Sequence, residues 1–342
     1  MAGVVPSGMA PAMLTPWLRS RLEAQRFLAR RQSEDGAWRS TSYGSFKSGE
    51  GLTPLVLHAA WPGLKSERRK VAVDWLRKQG EKTWQLFPVH NAGWLLALAT
   101  REGALQRFVP VLEAHLRGLQ LSTAQGWTRG HPCHGGWGYA ATTVCNEGGL
   151  LAPMQEPNLS ATVLAVAGLR RAGVQPGDPV LAEAARFMAG CQNFRTGEQG
   201  DPEFDDGGFF QMANDPSRNK AGVAGTDREG RKRFRSYFSA TADGVRGLLM
   251  CGVKRSDPRV TAGLRWMEKN PASNDVPDLT FYAGYARARV RELAKGRPRP
   301  TRGDGAGQGT SPLQNHDGSY ANPAGEMREH EPLVATSLAL LT

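Results

Sequence analysis

The chain has 342 residues, 40% of them hydrophobic and 22% charged, and a formal net charge of +11. At about 150 residues per domain this length allows two domains, and one large repeat fold fits it equally well. No apolar run approaches the roughly 18 residues that a membrane-spanning helix needs, so we expect no integral membrane protein. Met1 to Pro16 lack the basic and apolar regions of a signal peptide, and we predict a disordered tail there. Four cysteines are too few for a disulfide scaffold, which predicts a cytoplasmic location.

Two short stretches carry most of the positive charge. Residues 287–302 hold seven basic residues against one acidic residue, and residues 228–235 hold five against one, for net charges of +6 and +4. We interpret both as solvated loops, with an anionic lipid surface or nucleic acid as the alternatives. No aromatic residues alternate with the basic ones in 287–302, so no nucleic-acid partner is predicted, and peripheral contact with a membrane stays open.

An internal repeat is the most informative feature of the sequence. Ser160-Ala161-Thr162 recurs 79 positions later as Ser239-Ala240-Thr241, followed in both copies by glycines and an Asp-Pro pair at the same offsets. Each copy predicts a buried helix, a turn and an amphipathic helix that begins after an aspartate cap.

Weaker copies extend this pattern in both directions along the chain. Outer, amphipathic helices are predicted near 17–31, 67–78, 104–119, 180–191 and 259–269. Six inner, buried helices are predicted to begin near Gly51, Asn91, Asn158, Tyr237, Phe281 and Glu331.

Helical hairpins in this number predict an all-α fold. We expect one α/α toroid of about six hairpins over residues 17–342, with the inner helices around an apolar central cavity. Loops are predicted over 122–156, 195–235 and 296–312, the last in the place of the sixth outer helix.

A second periodic signal combines glycine with an aromatic residue. Residues 32–38 and 314–320 share the pattern Gln-x-x-Asp-Gly-x-aromatic, and partial copies include Gly135-Gly136-Trp137 and Asp206-Gly207-Gly208-Phe209. The pattern predicts a turn after an outer helix, because glycine adopts backbone angles that other residues avoid and the aromatic ring covers the hairpin.

These turns resemble the QW repeats of squalene–hopene cyclases. With the segment Pro157-Asn158-Leu159-Ser160-Ala161-Thr162, they resemble the wider terpenoid cyclase and protein prenyltransferase superfamily. More narrowly, the chain is similar to bacterial prenyltransferase/squalene oxidase repeat proteins, which are single toroids. The resemblance implies the toroid fold and an isoprenoid as the ligand.

The chain departs from this superfamily at both of its catalytic motifs. A class II terpene cyclase carries its proton-donating aspartate in a segment similar to 157–162, where this chain has no carboxylate. Protein prenyltransferases hold zinc with Asp-x-Cys and a histidine, and no cysteine follows Asp243 at that spacing. His131, Cys133, His134 and Cys145 match no standard zinc module, so neither a metal nor a cofactor is predicted.

Two carboxylates are the candidate catalytic groups. Asp243 replaces Leu164 of the repeat twin on a buried helix, where burial would raise its pKa and suit a general acid. The alternative for Asp243 is an ion pair with Arg246, one turn further along the helix. Asp206, next to Asp205, is either a carboxylate at the cavity mouth or the capping aspartate of a turn.

Polar and aromatic residues near the inner-helix starts are the candidate cavity lining, although core packing accounts for the aromatic ones equally well. They are Ser160, Thr162, Tyr237, Phe238, Thr241, Phe281, Tyr282 and Tyr285.

The leading functional hypothesis is an isoprenoid-handling protein, resembling a squalene cyclase or a prenyltransferase but without the usual acid and zinc motifs. The alternative is a non-catalytic toroid that binds a hydrophobic ligand or a protein partner. A third hypothesis is carbohydrate chemistry by a pair of carboxylates in an α/α toroid.

Overall fold

The computed structural model describes residues 15–141, 143, 154–197, 200–213, 218–271, 276–295, 313–324 and 328–342. The predicted loop 296–312 lies outside these residues, as do residues 142 and 144–153 of the predicted loop 122–156. The predicted tail also lies outside them, except for its last two residues. Thr15 caps the first helix, and Pro16 begins it.

Helices dominate the part of the chain that the structure describes. One antiparallel hairpin accompanies them, formed by β1 (Val223–Thr226) and β2 (Lys232–Phe234) within the region predicted as a loop. The helices are α1 Pro16–Arg30, α2 Thr53–Ala60, α3 Ser66–Gln79, α4 Lys82–Gln85, α5 Pro88–Ala99, α6 Val109–Gly118, α7 Leu159–Ala172, α8 Pro179–Gly190, α9 Phe238–Met250, α10 Pro258–Lys269, α11 Thr280–Lys295 and α12 Pro332–Leu340.

The helix predictions are confirmed. The six predicted inner helices are α2, α5, α7, α9, α11 and α12, and the five predicted outer helices are α1, α3, α6, α8 and α10. The asparagine and aspartate caps are present as well, since Asn158 caps α7 and Asp178 caps α8 through side-chain bonds to backbone amides.

The chain divides into two compact units. The first comprises Met1–Leu86, Pro277–Ala288 and Arg299–Thr342. In it, α12 packs against α1 and α2, so the last helix of the chain contacts the first two. The prediction of a single domain stays a prediction.

The second unit comprises Phe87–Val276 and Arg289–Pro298, and α7 lies at its centre. Helix α7 packs against the inner helices α5 and α9 and against the outer helices α6 and α8. Small residues permit the close approach of α5 and α7, because a Cβ atom added at Gly168 would lie 3.3 Å from Gly93 Cα. The starts of α7 and α9 are thereby held side by side with the start of α5.

Glycine-aromatic turns occur four times with the same hydrogen bonds. In the first, Gln32 Nε2 donates to the Gly36 carbonyl at 3.1 Å and to the Arg68 carbonyl of the next outer helix at 3.0 Å. The corresponding pairs of bonds are made by Gln120, Gln192 and Gln314. One glutamine amide in each of these turns thus ties the turn to an outer helix, which for Gln314 is α1.

The turn glycine is required at each of these positions for two reasons. Gly36 has a φ of +99°, and a Cβ there would lie 2.6 Å from the backbone of Val71 on the same outer helix. A side chain would therefore meet both backbone strain and a collision. Left-handed φ values and close backbone or Cβ approaches to the outer helix recur at Gly135, Gly207 and Gly318.

Candidate functional site

Neutral polar side chains gather at the starts of α7 and α9, in the second unit. Asn158 and Tyr237 precede the two helices, and Ser160 lies in the first turn of α7. Tyr139 and Gln211 come from the chain that follows two turns, each two residues after the turn aromatic. We call these five residues the polar cluster.

Asn158 is the most buried member of the polar cluster, with no exposed surface. Its Oδ1 accepts hydrogen bonds from the Ala161 amide at 3.0 Å, Ser160 Oγ at 2.9 Å and Gln211 Nε2 at 3.3 Å. Its Nδ2 is buried and has no hydrogen-bond partner. In Asn158 the acceptor Oδ1 therefore has three hydrogen-bond partners, whereas the donor Nδ2 has none.

Gln211 connects the two helix starts. Its Oε1 accepts from the Tyr237 hydroxyl at 2.6 Å, and its backbone carbonyl accepts from the Leu159 amide at 3.0 Å. Its Nε2 is 3.3 Å from both Asn158 Oδ1 and Ser160 Oγ. The side chain is buried, so these bonds hold the first turn of α7 against the start of α9 without solvent competition.

The polar cluster has a partly exposed edge. The Tyr139 hydroxyl lies 3.2 Å from Ser160 Oγ, and the His90 ring stacks on the Tyr139 ring with centroids 5.2 Å apart. All three side chains are half-buried, unlike the enclosed Asn158 and Gln211 behind them. This edge suits hydrogen bonding and stacking with a neutral molecule.

Solved structures of other proteins are similar along almost the whole chain. The family 76 α-1,6-mannanase from Salegentibacter sp. HEL1_6 has a TM-score of 0.58 at 12% identity, over 95% of this chain and 98% of that one. The type II terpene cyclase MstE from Scytonema has a TM-score of 0.51 at 14% identity, over 96% and 97%. The chain is an α/α toroid.

One further match contains a bound sugar. An inactive variant of the same mannanase, in complex with α-1,6-mannotriose, has a TM-score of 0.57 at 12% identity, over 95% of this chain and 100% of that one. No protein-family model and no curated protein sequence matches the toroid. At these identities the likeness shows the fold alone.

Asp243, the predicted acid, lies in a buried ion pair on α9 of the toroid. Its Oδ1 is 2.8 Å from Arg246 Nε and Nη2, and both side chains are 2% exposed. The alternative considered from the sequence, a pair with Arg246, is therefore present, and it is enclosed rather than in solvent. Such a pair stabilises the ionised carboxylate. The catalytic role of Asp243 stays a prediction.

Asp206 is the capping aspartate of the third turn. Its Oδ1 accepts from the Gly208 amide at 2.9 Å and from Ser236 Oγ at 2.7 Å, while Trp266 Nε1 donates to its Oδ2 at 2.9 Å. The neighbouring Asp205 is paired with Arg233 at 2.5 Å. Both carboxylates thus hold the fold together locally, and no test bears on the predicted role of Asp206 at a cavity mouth.

Thr162 and Thr241 serve the turns. The Trp137 amide donates to Thr162 Oγ1 at 3.1 Å, and the Phe209 amide donates to Thr241 Oγ1 at 3.0 Å. Both threonines are fully buried, and the Thr241 hydroxyl also donates to the Tyr237 carbonyl at 2.9 Å. Their hydroxyls bond to backbone groups, which accounts for the repeated threonine without a ligand.

The predicted aromatic residues divide between the two units. Tyr237 and Phe238 are buried at the start of α9 in the second unit. In the first unit, Phe281 packs edge-on against Tyr320, and the Tyr282 and Tyr285 rings are 6.1 Å apart. Their place in a cavity stays a prediction.

Two buried glutamates of the first unit were missed from the sequence. Glu329 accepts from the Phe281 and Tyr282 amides at 3.0 Å and 2.7 Å, and so caps α11. Glu331 caps α12 by accepting from the Leu333 amide at 3.4 Å, and the Ser40 hydroxyl donates to it. Both carboxylates satisfy helix N-termini, where negative charge is favoured.

The cysteine and histidine candidates do not form a ligand set among the described residues. His131 Nδ1 accepts from the Cys133 amide at 3.1 Å, and Cys145 lies outside the described part. No group of three potential metal-ligating side chains occurs in the ranges that the structure describes. Within the same ranges, no helix is long and apolar enough to cross a bilayer.

Tyr139, Asn158 and Gln211 are the members of the polar cluster that sequence reasoning did not select. The signal that could have found two of them is their spacing, since Tyr139 follows Trp137 by two residues and Gln211 follows Phe209 by two. A repeat analysis extended past each turn aromatic would have aligned these side chains at neighbouring inner-helix starts.

Proposed function

We propose that this toroid binds an isoprenoid at the polar cluster and does not convert it. The observation that carries the proposal is the chemistry of the cluster, which contains hydroxyl and amide groups only. The resemblance to terpene cyclases places the proton-donating acid in the segment that here contains Asn158 and Ser160. Neither side chain can protonate an alkene, whereas both can hydrogen-bond to a neutral group.

The distribution of polarity along the helices favours an isoprenoid over a fully polar ligand. Beyond its first turn, α7 is apolar and buried as far as Leu169, and α5 is buried and apolar from Trp94 to Ala99. Polar groups therefore concentrate at one end of apolar helices. This arrangement is complementary to a molecule with an apolar chain and one polar end.

The carboxylates do not support proton transfer in this proposal. Asp243 is engaged in a buried pair with Arg246, and Asp206 accepts three hydrogen bonds from the third turn and its surroundings. A general acid must carry a proton and reach the substrate. We therefore assign the toroid a binding role and give these aspartates structural roles.

A neutral oligosaccharide is the second candidate ligand, because one similar mannanase structure contains α-1,6-mannotriose. That mannanase variant is inactive after two consecutive aspartates were replaced by asparagine. The one Asp-Asp pair of this sequence is Asp205-Asp206, and both side chains are occupied by protein groups. The comparison supports sugar binding as an alternative, and we do not propose glycoside hydrolysis.

Titration of the purified protein with ligands of each class tests the proposal. We expect geranylgeraniol and farnesol to change the tryptophan fluorescence saturably with micromolar dissociation constants, and mannotriose to leave it unchanged. Isothermal titration calorimetry provides an independent readout of the same affinities. Saturable binding of mannotriose without binding of either isoprenoid would replace the proposal with the second candidate.

A further inference from the structure

One buried donor of the polar cluster, Asn158 Nδ2, has no hydrogen-bond partner, and this donor narrows the chemical class of the ligand. We infer, on the basis of the proposed function, that Asn158 Nδ2 donates a hydrogen bond to an oxygen atom of the bound isoprenoid. The ligand is then an oxygenated isoprenoid, with an ether, carbonyl or hydroxyl oxygen at its polar end. A pure hydrocarbon such as an isoprenoid alkene would leave the donor unsatisfied.

The identity of the idle atom follows from its neighbours. The Ala161 amide is a donor by its nature, and it points at the side-chain atom assigned as Asn158 Oδ1 at 3.0 Å. That atom must be the oxygen, so the remaining side-chain atom is the amide nitrogen with two hydrogens. The asparagine therefore presents a donor, not an acceptor, on its unpaired side.

No acceptor of the polar cluster forms a hydrogen bond with this donor. Asn158 Oδ1 already receives three hydrogen bonds, and Gln211 Oε1 receives one from Tyr237. Ser160 Oγ donates to Asn158 and lies within bonding distance of Gln211 Nε2 and the Tyr139 hydroxyl. A buried donor without a partner is costly to the folded state, so its retention here indicates a partner from outside the chain.

Asn158 differs from the other buried asparagine and glutamine side chains, whose amide nitrogens have hydrogen-bond partners. Gln32, Gln120 and Gln192 each donate to two backbone carbonyls, and Asn193 Nδ2 donates to the Phe234 carbonyl at 2.8 Å and to Ser236. In the described part of the chain, no other buried asparagine or glutamine has an idle nitrogen. Ser160 Oγ, 2.9 Å from Asn158 Oδ1, belongs to the half-buried edge of the polar cluster, and this edge is the side from which the ligand is expected to approach.

Three ligands that share the farnesyl carbon skeleton distinguish a hydrogen-bond acceptor on the ligand from a donor. Farnesene has no oxygen, farnesyl methyl ether has an acceptor only, and farnesol has both an acceptor and a donor. The wild-type protein is expected to bind the ether about tenfold more tightly than farnesene, which is the size expected for one buried hydrogen bond. Binding is measured by tryptophan fluorescence at pH 8.

The variant Asn158→Asp replaces the donor by an acceptor of the same shape. Aspartate also caps helices, so α7 keeps its start, and the donors around Oδ1 keep the new carboxylate ionised at pH 8. We expect this variant to lose the preference for the ether over farnesene. It should still bind farnesol, because the hydroxyl group can donate to the carboxylate.

Asn193→Asp is the matched control, since Asn193 is equally buried but uses both amide hydrogens inside the protein. This variant should be less stable to heat and keep the tenfold preference for the ether.

Equal affinities of the wild-type protein for the ether and farnesene would overturn the inference while leaving isoprenoid binding intact. The same holds if Asn158→Asp, folded by circular dichroism, retains the preference. Failure of all three ligands to bind the wild-type protein would instead refute the proposed function.

Discussion

At the scale of single residues, several buried charged groups in the described part of the chain are paired with specific partners. The clearest example is the pair Asp243 and Arg246 on α9, in which both side chains are buried. From the sequence, an aspartate in place of Leu164 could equally indicate an acid or an ion pair. Only the position of the Arg246 guanidinium distinguishes these roles, and helical spacing alone does not determine it.

Asp243→Asn should destabilise the protein strongly. The substitution removes the negative charge of Asp243 from its pair with the buried Arg246 guanidinium, and loss of one member of a buried pair costs about 3 to 5 kcal/mol. Urea unfolding followed by circular dichroism measures the change in the free energy of unfolding. The control is Asp74→Asn, which removes a carboxylate from exposed ion pairs with Lys70 and Arg77 and should cause no detectable change. Equal stability of Asp243→Asn and the wild-type protein would contradict the structural role.

His134 makes the second turn sensitive to pH. The other three turns have an aspartate before the left-handed glycine, whereas His134 is buried there, 3.2 Å from Glu183 Oε2 and 3.2 Å from Thr123 Oγ1. Burial lowers the pKa of His134, and the nearby Arg186 and Arg129 act in the same direction against the attraction of Glu183. The folded state therefore holds the imidazole neutral at pH 7.

Because the pKa of His134 is lower in the folded state, the unfolded chain binds the proton first as the pH falls. The free energy of unfolding should decrease below about pH 6.5, the ordinary pKa of histidine, and level off below the folded pKa. His134→Asn should remove part of this decrease, since asparagine can cap the turn without titrating. Denaturant unfolding between pH 5 and 8 measures the slope. An identical slope in both proteins would show that other groups cause the pH dependence.

At the scale of elements, the turn is the unit that builds the fold. Its glutamine, glycine and aromatic residue each contact a different part of the next hairpin. Gln120 bonds to the Val180 carbonyl, Gly135 packs on the Glu183 backbone, and the Trp137 amide bonds to Thr162. The glutamine, the glycine and the aromatic residue therefore recur between repeats for reasons of geometry, and this recurrence requires no ligand.

Gly135→Ala and Gly173→Ala separate collision from backbone strain. Both glycines have left-handed φ values, +90° and +104°, but a Cβ at Gly135 would lie 2.3 Å from the Glu183 carbonyl, while Gly173 has open space. The left-handed conformation costs about 1 to 2 kcal/mol in either variant. The collision should add about 1 to 3 kcal/mol at Gly135 alone. Thermal and urea unfolding compare the two, and equal losses would indicate that the outer helix shifts to accept the methyl group.

The helices were predictable because local signals determine them. The Asp-Pro starts of α8 and α10 and the apolar repeat that begins at Ser160 need no knowledge of distant contacts. Boundaries were less certain, since the outer helix predicted from residue 104 begins as a 3₁₀ segment at Gly103 and becomes α-helical only at Val109. Thr162 and Thr241 were selected as site residues, whereas their hydroxyls accept hydrogen bonds from backbone amides of the turns.

The polar cluster was harder to predict because it assembles from four separate segments. Ser160 and Tyr237 were selected as inner-helix residues, but Gln211 lies beyond the third turn and reaches α7 and α9 through contacts distant in sequence. Pairing of β1 with β2 was also missed. Arg233 of β2, which is ion-paired with Asp227, was counted from the sequence only as charge.

At the scale of the whole molecule, the charge of +4 counted for residues 228–235 overstates the free positive charge there, because acidic partners come from outside this stretch. Within residues 228–235, Arg233 is buried between Asp205 and Asp227, and Arg231 pairs with Asp227 and Glu229. These partners fasten the hairpin to the loop before the third turn. Part of the basic stretch is therefore structural, and the predicted peripheral membrane contact stays a prediction.

The toroid fold is shared by proteins with different chemistries, including an α-1,6-mannanase and a type II terpene cyclase. Function in such a fold depends on the side chains at the inner-helix starts. Here those side chains are neutral at α7 and α9, and the buried carboxylates at α11 and α12 cap helices. We therefore propose a toroid that binds its ligand through hydrogen bonds at the starts of α7 and α9 without converting it.

Incubation with isotope-labelled geranylgeraniol, followed by gel filtration and mass spectrometry of the extracted lipid, tests this central claim most directly. We predict that the label elutes with the protein at about one molecule per chain and is recovered with its mass and retention time unchanged. Recovery of a cyclised or otherwise altered product would contradict the claim that the toroid binds without catalysis. Elution of all the label apart from the protein would contradict isoprenoid binding itself.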